Sequence, residues 1–276
     1  MPTAVSEIGD AMTDVLKGQV AIISGGLGDI GFAIAQLLAS RGADIAIGDR
    51  RPTADAEPRL AELTSLGRRA NYHQLDVAVA TEVNAWVERV STSFGPPTLV
   101  IVNAAIVDPS PVCEITPEQW HRHLDINLSG AFFLAQACAN KLRALDRPGR
   151  IVFVGSWAAD APHVNLAAYC VAKAGLRMLC RTMALELAPN RILVNEIAPG
   201  YVDAGLTAEI WAKHPAKREE GRQDVPTHEL ITANQVALQV GHLCDPTNRH
   251  MTGSTILMDG GLSLTSVATR QRQSEC

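Results

Sequence analysis

Cysteine is scarce and unpatterned in this 276-residue chain. Its six cysteines (Cys113, Cys138, Cys170, Cys180, Cys244 and Cys276) form no C-x-x-C pair and share no zinc-ligand spacing with histidine. That argues against a disulfide-stapled secreted scaffold and against a metal site, and the thiols read as reduced side chains of a cytoplasmic protein. No run of roughly 18 apolar residues occurs, so no membrane span is expected. The first fifteen residues contain Glu7, Asp10 and Asp14 and lack the apolar centre of a signal peptide. Charged residues make up 19% with a net charge of −5 and no long basic run, so nucleic acid is not an expected partner.

What the chain has in quantity is apolar residue, 47%, enough to bury a sizeable core. Strands are predicted at residues 20–23, 44–47, 70–75, 99–102, 150–154, 193–197 and 255–258. Helices are predicted at 30–40, 58–66, 117–144 with a break, and 165–188. The alternation predicts an α/β fold: a single doubly wound Rossmann domain whose mainly parallel sheet of about seven strands is flanked by helices. No repeat or linker divides it. The expected organisation is a flexible extension at 1–15, one domain over 16–264 and a flexible tail at 265–276. Residues 203–230, charged and containing Pro215 and Pro226, are too polar for core and read either as a mobile lid over a site or as a disordered insertion.

Between the first predicted strand and helix stands Ser24-Gly-Gly-Leu-Gly-Asp-Ile-Gly31. Gly26-x-Gly28-x-x-Gly31 satisfies a dinucleotide fingerprint, in which glycines permit a tight turn, close approach of pyrophosphate and close helix packing. Asp49 ends the second strand, eighteen residues past Gly31. A carboxylate there accepts hydrogen bonds from ribose hydroxyls and repels a 2′-phosphate, which favours NAD. Arg50 and Arg51 keep NADP as the alternative, because a guanidinium beside the ribose pairs with phosphate.

Tyr169 and Lys173 are four residues apart in a predicted helix and therefore share a face. The expectation is that the lysine ammonium favours the phenolate and pulls the tyrosine pKa down from ~10. A phenol nearer neutrality is a general acid/base matched to alcohol–ketone chemistry. Ser156 lies thirteen residues upstream of Tyr169.

These motifs, taken in order from about Leu16 to Leu262, resemble the short-chain dehydrogenase/reductase family in its compact, single-domain branch. The resemblance places the nucleotide loop on Ser24, Gly25, Gly28, Ile30 and Gly31, the ribose-binding acid on Asp49 with Arg50 beside it, and the adenine contact on Asp76 and Val77. It places the turn after the fourth strand on Asn103 and Ala104, and the nicotinamide-side turn on Pro199, Gly200 and Val202. It implies a catalytic group of Asn127, Ser156, Tyr169 and Lys173, with Tyr169 and Lys173 also touching the cofactor. Asp259-Gly260-Gly261 matches the closing signature. The chain departs from the pattern at Asp29, usually glycine, at Val102, usually asparagine, and at Ala204, usually threonine, with Thr207 as a substitute.

The resemblance implies an NAD(H)-dependent oxidoreductase that interconverts a secondary alcohol of sugar, polyol or hydroxyacyl type and its ketone by hydride transfer, with Tyr169 as general acid/base. An NADPH-dependent 3-oxoacyl reductase is the alternative. A nucleotide-sugar epimerase, or a non-catalytic nucleotide-sensing or scaffold protein, fits less well. The partners implied are a small alcohol or ketone substrate and other copies of the chain, as a homotetramer. Trp157 and His163 are candidates for the substrate wall, Asp108 for polyol hydroxyls, and His121 and His123 read as a solvated helix face.

Overall fold

Val20–Ser24 (β1) is buried at all five positions, and a strand with no polar face belongs inside a sheet covered on both sides. A computed structural model describes residues 14–265 and places it there. The ends expected to be flexible, 1–15 and 265–276, lie outside the described residues except for Asp14, Val15 and Thr265.

The remaining strands are Asp44–Asp49 (β2), Ala70–Gln74 (β3), Leu99–Val102 (β4), Gly149–Val154 (β5), Ile192–Pro199 (β6) and Thr255–Met258 (β7). They form a seven-stranded sheet in the order β3-β2-β1-β4-β5-β6-β7, every pair parallel. Chain order reverses direction between β1 and β4, and a crevice opens at the carboxyl ends of the strands at such a switch point.

Asp29–Ser40 (α1), Thr53–Ser65 (α2), Ala80–Phe94 (α3), Pro117–Leu124 (α4), Gly130–Ala144 (α5) and Ala167–Leu187 (α6) follow in chain order. Ile34 and Leu38 of α1 share one core with Ile45 and Ile47 of β2 and with Val236 and Val240 of a later helix, Ala233–Cys244. Trp86 of α3, Leu134 and Cys138 of α5, and Leu176 and Cys180 of α6 form the other core with Ile22, Val100 and Phe153. The sheet thus carries helices on both faces. That is the expected doubly wound α/β architecture, and single apolar stripes on the helices are enough to build it.

Two local differences from the sequence expectation stand out, and one expected break takes definite form. Helix α2 starts at Thr53 rather than 58 and carries Pro58 inside it, because Ala56 in the added turn is fully buried in the first core. The break expected in 117–144 is a π-helical turn, Asp125–Ser129, between α4 and α5. Residues 205–224 are not uniformly polar surface but two helices, Gly205–Lys213 (α7) and Pro215–Asp224 (α8). Trp211 and Val225 of this region are buried, and Val225 packs with Trp157 and Leu262 in a small satellite core.

Candidate active site

The carboxyl ends of the strands surround a cavity of about 820 Å³. Its floor is the β1–α1 turn. There Gly25 and Gly31 are pressed against the end of β4: a Cβ on Gly31 would lie 2.3 Å from the Gly25 carbonyl oxygen and 2.8 Å from Asn103 Nδ2. Asn103 Nδ2 donates to the carbonyls of Ser24 (3.1 Å) and Gly25 (3.0 Å). Ser24 Oγ accepts from the backbone N–H groups of Asn103 (3.0 Å) and Ala104 (3.1 Å). Ser24 is buried and serves as a stitch between two strand ends, while Gly25, Gly28, Ile30 and Gly31 face the cavity. The first backbone N–H groups of α1 have no intrahelical partner, so the turn is built to meet an anion.

Asp49 projects from the end of β2 into the same cavity. Its carboxylate accepts from the backbone N–H groups of Leu27 and Arg51, both at 3.2 Å, and is only 9% exposed. Arg50, Arg51 and Arg59 line the cavity around it. The Tyr72 hydroxyl donates to the Asp49 carbonyl at 2.9 Å, and burial together with the Asp49 carboxylate pushes that phenol up to about 12. Asp76, Val77, Ala104, Pro199, Gly200 and Val202 also line the cavity, as do Ala204 and Thr207.

Ser156, Tyr169 and Lys173 line the same cavity as the glycine turn. Ser156 follows β5 and caps a short 3-10 turn, Trp157–Ala159, with Oγ accepting from Ala158 N–H at 3.1 Å. Its own proton remains to be donated, and a hydrogen bond from Ser156 favours the Tyr169 phenolate. Burial nevertheless dominates and raises the Tyr169 pKa above its ordinary value. The expected lowering by Lys173 is not what the geometry produces. The Lys173 ammonium donates to the Val154 carbonyl at 2.8 Å and sits 5.6 Å from the centre of the Tyr169 ring, over its face rather than at its oxygen. Burial lowers Lys173 itself to about 8, opposed by the nearby Glu196 carboxylate.

Asn127 stands apart from the cavity lining and is 1% exposed. Its Oδ1 accepts the Ile106 N–H at 2.8 Å and its Nδ2 donates to the Ile106 carbonyl at 2.9 Å. The π turn that holds it aims this amide at the loop after β4. His123, one helical turn earlier, is also buried rather than solvated. Its Nδ1 lies 2.8 Å from the Gln119 carbonyl and its Nε2 accepts the Asp108 N–H at 3.1 Å, so the two side chains clamp the loop wall together. His121 is exposed on the cavity rim, as expected for a solvated face. Asp108 is exposed and outside the lining, and Trp157 and His163 pack edge-on at 4.5 Å behind the wall.

One part of the site carries no motif. Arg177 is buried four residues past Lys173, and its guanidinium joins Glu196 on β6 (2.8 Å), the Ser156 carbonyl (3.1 Å) and Asp160. Its only sequence signal was the i, i+4, i+8 spacing with Tyr169 and Lys173.

A family model described as enoyl-(acyl carrier protein) reductase matches residues 26–263. Cis-4-hydroxycyclohexanecarboxylate dehydrogenase of Sinomonas cyclohexanicum is 32% identical over 91% of this chain and 98% of its own length. Galactitol 2-dehydrogenase of Agrobacterium fabrum is 31% identical, covering 89% and 98%, and the 3-oxoacyl-[acyl-carrier-protein] reductase FabG of Pseudomonas aeruginosa is 30% identical, covering 90% and 98%. The crystal structure of a short-chain type dehydrogenase/reductase from Mycobacterium marinum superimposes with a TM-score of 0.86 at 27% identity, over 92% of this chain and 99% of that one. With the parallel sheet, the glycine turn and the Ser156, Tyr169 and Lys173 wall in place, the chain belongs to the short-chain dehydrogenase/reductase family. It is an NAD(P)-dependent oxidoreductase that acts on CH–OH groups.

Proposed function

We propose that the chain interconverts a secondary alcohol of sugar, polyol or hydroxyacyl type and its ketone, with NAD(H) as the preferred cofactor and Tyr169 as the general acid/base. The observation that carries the reading is the convergence of Ser156, Tyr169 and Lys173 on the cavity that the glycine turn and Asp49 open into. A bound nicotinamide dinucleotide supplies the two-electron redox chemistry. The residues that would hold it fit: the close-packed turn at Gly25, Gly28, Ile30 and Gly31, with Ser24 fixed beneath, approaches the pyrophosphate. Asp49 and Arg50 take the ribose, Asp76 and Val77 the adenine, and Asn103, Ala104, Pro199, Gly200 and Val202 the nicotinamide half.

In this reading the Ser156 hydroxyl donates to the substrate oxygen, stabilising charge as it develops there. Tyr169 gives its phenolic proton to that oxygen in ketone reduction and takes the alcohol proton in oxidation. Lys173 supplies positive charge behind the phenol and a contact for the nicotinamide ribose. Asn127 keeps the Ile106 wall in register and belongs to the proton path between Lys173 and solvent.

NAD is favoured because Asp49 is anchored by two backbone N–H groups, so a 2′-phosphate would meet a fixed negative charge. An NADPH-dependent 3-oxoacyl reductase is the second reading, supported by the three arginines that line the cavity beside Asp49. Residues 16–264 form the single domain of this reading, with 203–230 as substrate lid. Val171, Met178 and Leu185 recur every seventh residue on α6 and are all exposed. That apolar stripe supports assembly with further copies. The number of copies, four, is what the family resemblance implies, and the cytoplasmic location is the reading of the unpatterned cysteines. The test is a nicotinamide-absorbance screen of cyclic alcohols, polyols and β-hydroxyacyl esters with both cofactors. Turnover of one of these classes with NAD is expected, and activity confined to NADPH with 3-oxoacyl esters would select the second reading.

A further inference from the structure

Behind Ser156 lies a buried ion pair that the reaction as described does not use. Arg177 is 6% exposed and Glu196 is fully buried. Arg177 Nε donates to Glu196 Oε2 at 2.8 Å, and Nη2 donates to Glu196 Oε1 at 3.3 Å and to the Ser156 carbonyl at 3.1 Å. Nη1 pairs with Asp160, at the far end of the 3-10 turn that Ser156 begins. Thr255 Oγ1 donates to Glu196 Oε2 at 2.7 Å, which fixes the carboxylate from β7. The backbone is shaped for the pair: a Cβ on Gly155 would lie 1.9 Å from Glu196 Oε1, so only glycine lets the carboxylate reach the strand end beside Ser156.

A buried ion pair is seldom a net source of stability, because two desolvation costs oppose one attraction. A pair retained here, with its donors divided between both ends of one turn, points to position rather than stability. We propose that Arg177, held by Glu196, is a positioning residue that sets the Ser156 turn so that the Ser156 hydroxyl faces Tyr169. The guanidinium fork is the one side chain whose fixed, multiple donors can hold a carboxylate, a carbonyl and a second carboxylate at once. The inference rests on the reading of Ser156 and Tyr169 as the proton-handling pair.

The test needs no substrate, so it answers separately from the turnover screen. The chain has three tyrosines, and tyrosine ¹³Cζ NMR with Tyr169→Phe assigns the Tyr169 signal. Ser156 lowers the Tyr169 pKa, so Ser156→Ala is expected to raise it. Arg177→Lys keeps the positive charge, and it leaves Lys173, Cys170, Glu196 and Asp160 in place, but a lone ammonium cannot hold all three partners. It is expected to raise the Tyr169 pKa by half or more of the Ser156→Ala shift, and Arg177→Lys/Ser156→Ala is expected to match Ser156→Ala alone. A Tyr169 titration in Arg177→Lys that equals wild type, or shifts that add in the double variant, would overturn the proposal. If Arg177→Lys does not fold, the charge-neutral Arg177→Met/Glu196→Met replaces it with the same two expectations. If neither folds, Arg177 is a folding residue and the proposal fails.

Discussion

Asp29 Oδ2 accepts the backbone N–H of Gly205 at 2.8 Å, across 176 residues of chain. The carboxylate stands in the first turn of α1 and against the first residue of α7, so it complements the positive ends of two helices at once. Asp29 occupies a position where the compact branch usually has glycine. The structure gives the departure a purpose: it ties the nucleotide turn to the start of the segment read as a lid. Gly205 has φ +54°, a backbone conformation that favours glycine at this junction.

Replacing Asp29 with glycine should therefore loosen α7 without unfolding the domain. The bond is exposed, so its loss is expected to cost only about 0.5–1 kcal/mol. Hydrogen exchange over residues 205–213 should accelerate a few-fold, with exchange in β1 and β4 unchanged. Equal protection in both proteins would show that the contact carries no weight.

Asn127→Ala leaves the N–H and carbonyl of Ile106 without their partners. With two part-buried groups affected, a stability loss of about 2–3 kcal/mol is expected in urea unfolding. His123→Leu removes the ring contact to the Gln119 carbonyl and the acceptor of the Asp108 N–H. Asp108 is exposed and its N–H can turn to water, so this change should cost less than Asn127→Ala. The reverse order would mean that the clamp is misassigned.

The Asp49 carboxylate is the group that should discriminate cofactors. Asp49→Ala is expected to narrow the ratio of kcat/KM with NAD to that with NADP by about tenfold or more, since Arg50 and Arg51 remain. A lower overall stability should accompany it, because the Leu27 and Arg51 N–H groups lose their acceptor. An unchanged ratio would remove Asp49 from the ribose site.

Lys173 should titrate at about 8, against ~10.4 for a solvated lysine. Its folded pKa lies below its unfolded one, so between these values the unfolded chain binds more protons. Lys173 therefore contributes a rise in stability as pH increases from about 8 to ~10.4, and its full cost is present below that window. In Glu196→Gln the value should fall further, since the carboxylate favours the ammonium. ¹⁵Nζ NMR measures both; a Lys173 that titrates like a surface lysine would contradict the burial argument.

The sheet was legible because its central strands, such as Val20–Ser24 and Leu99–Val102, are short apolar runs, and the helices between them carry single apolar stripes. The nucleotide turn was legible because its glycines answer to backbone contact, which leaves a mark in sequence. The phenol's environment was not. Tyr169 and Lys173 share a helix face as their spacing says, yet the direction of the ammonium depends on the Val154 carbonyl, nineteen residues away. His123 looked solvated because its neighbours in the chain are polar, while its burial comes from the loop after β4. The pairing of Arg177 with Glu196 leaves no pattern, since one lies on a helix and the other on a strand and only the fold brings them together.

The proton-handling role of Tyr169 is the central claim, and Tyr169→Phe tests it with every hydrogen bond of Ser156, Lys173 and Arg177 to the backbone left in place. With any alcohol that the wild-type chain oxidises, kcat should fall by about 10²–10⁴-fold while the nicotinamide dinucleotide still binds, as followed by quenching of tryptophan fluorescence. Turnover near the wild-type level in Tyr169→Phe would contradict the account.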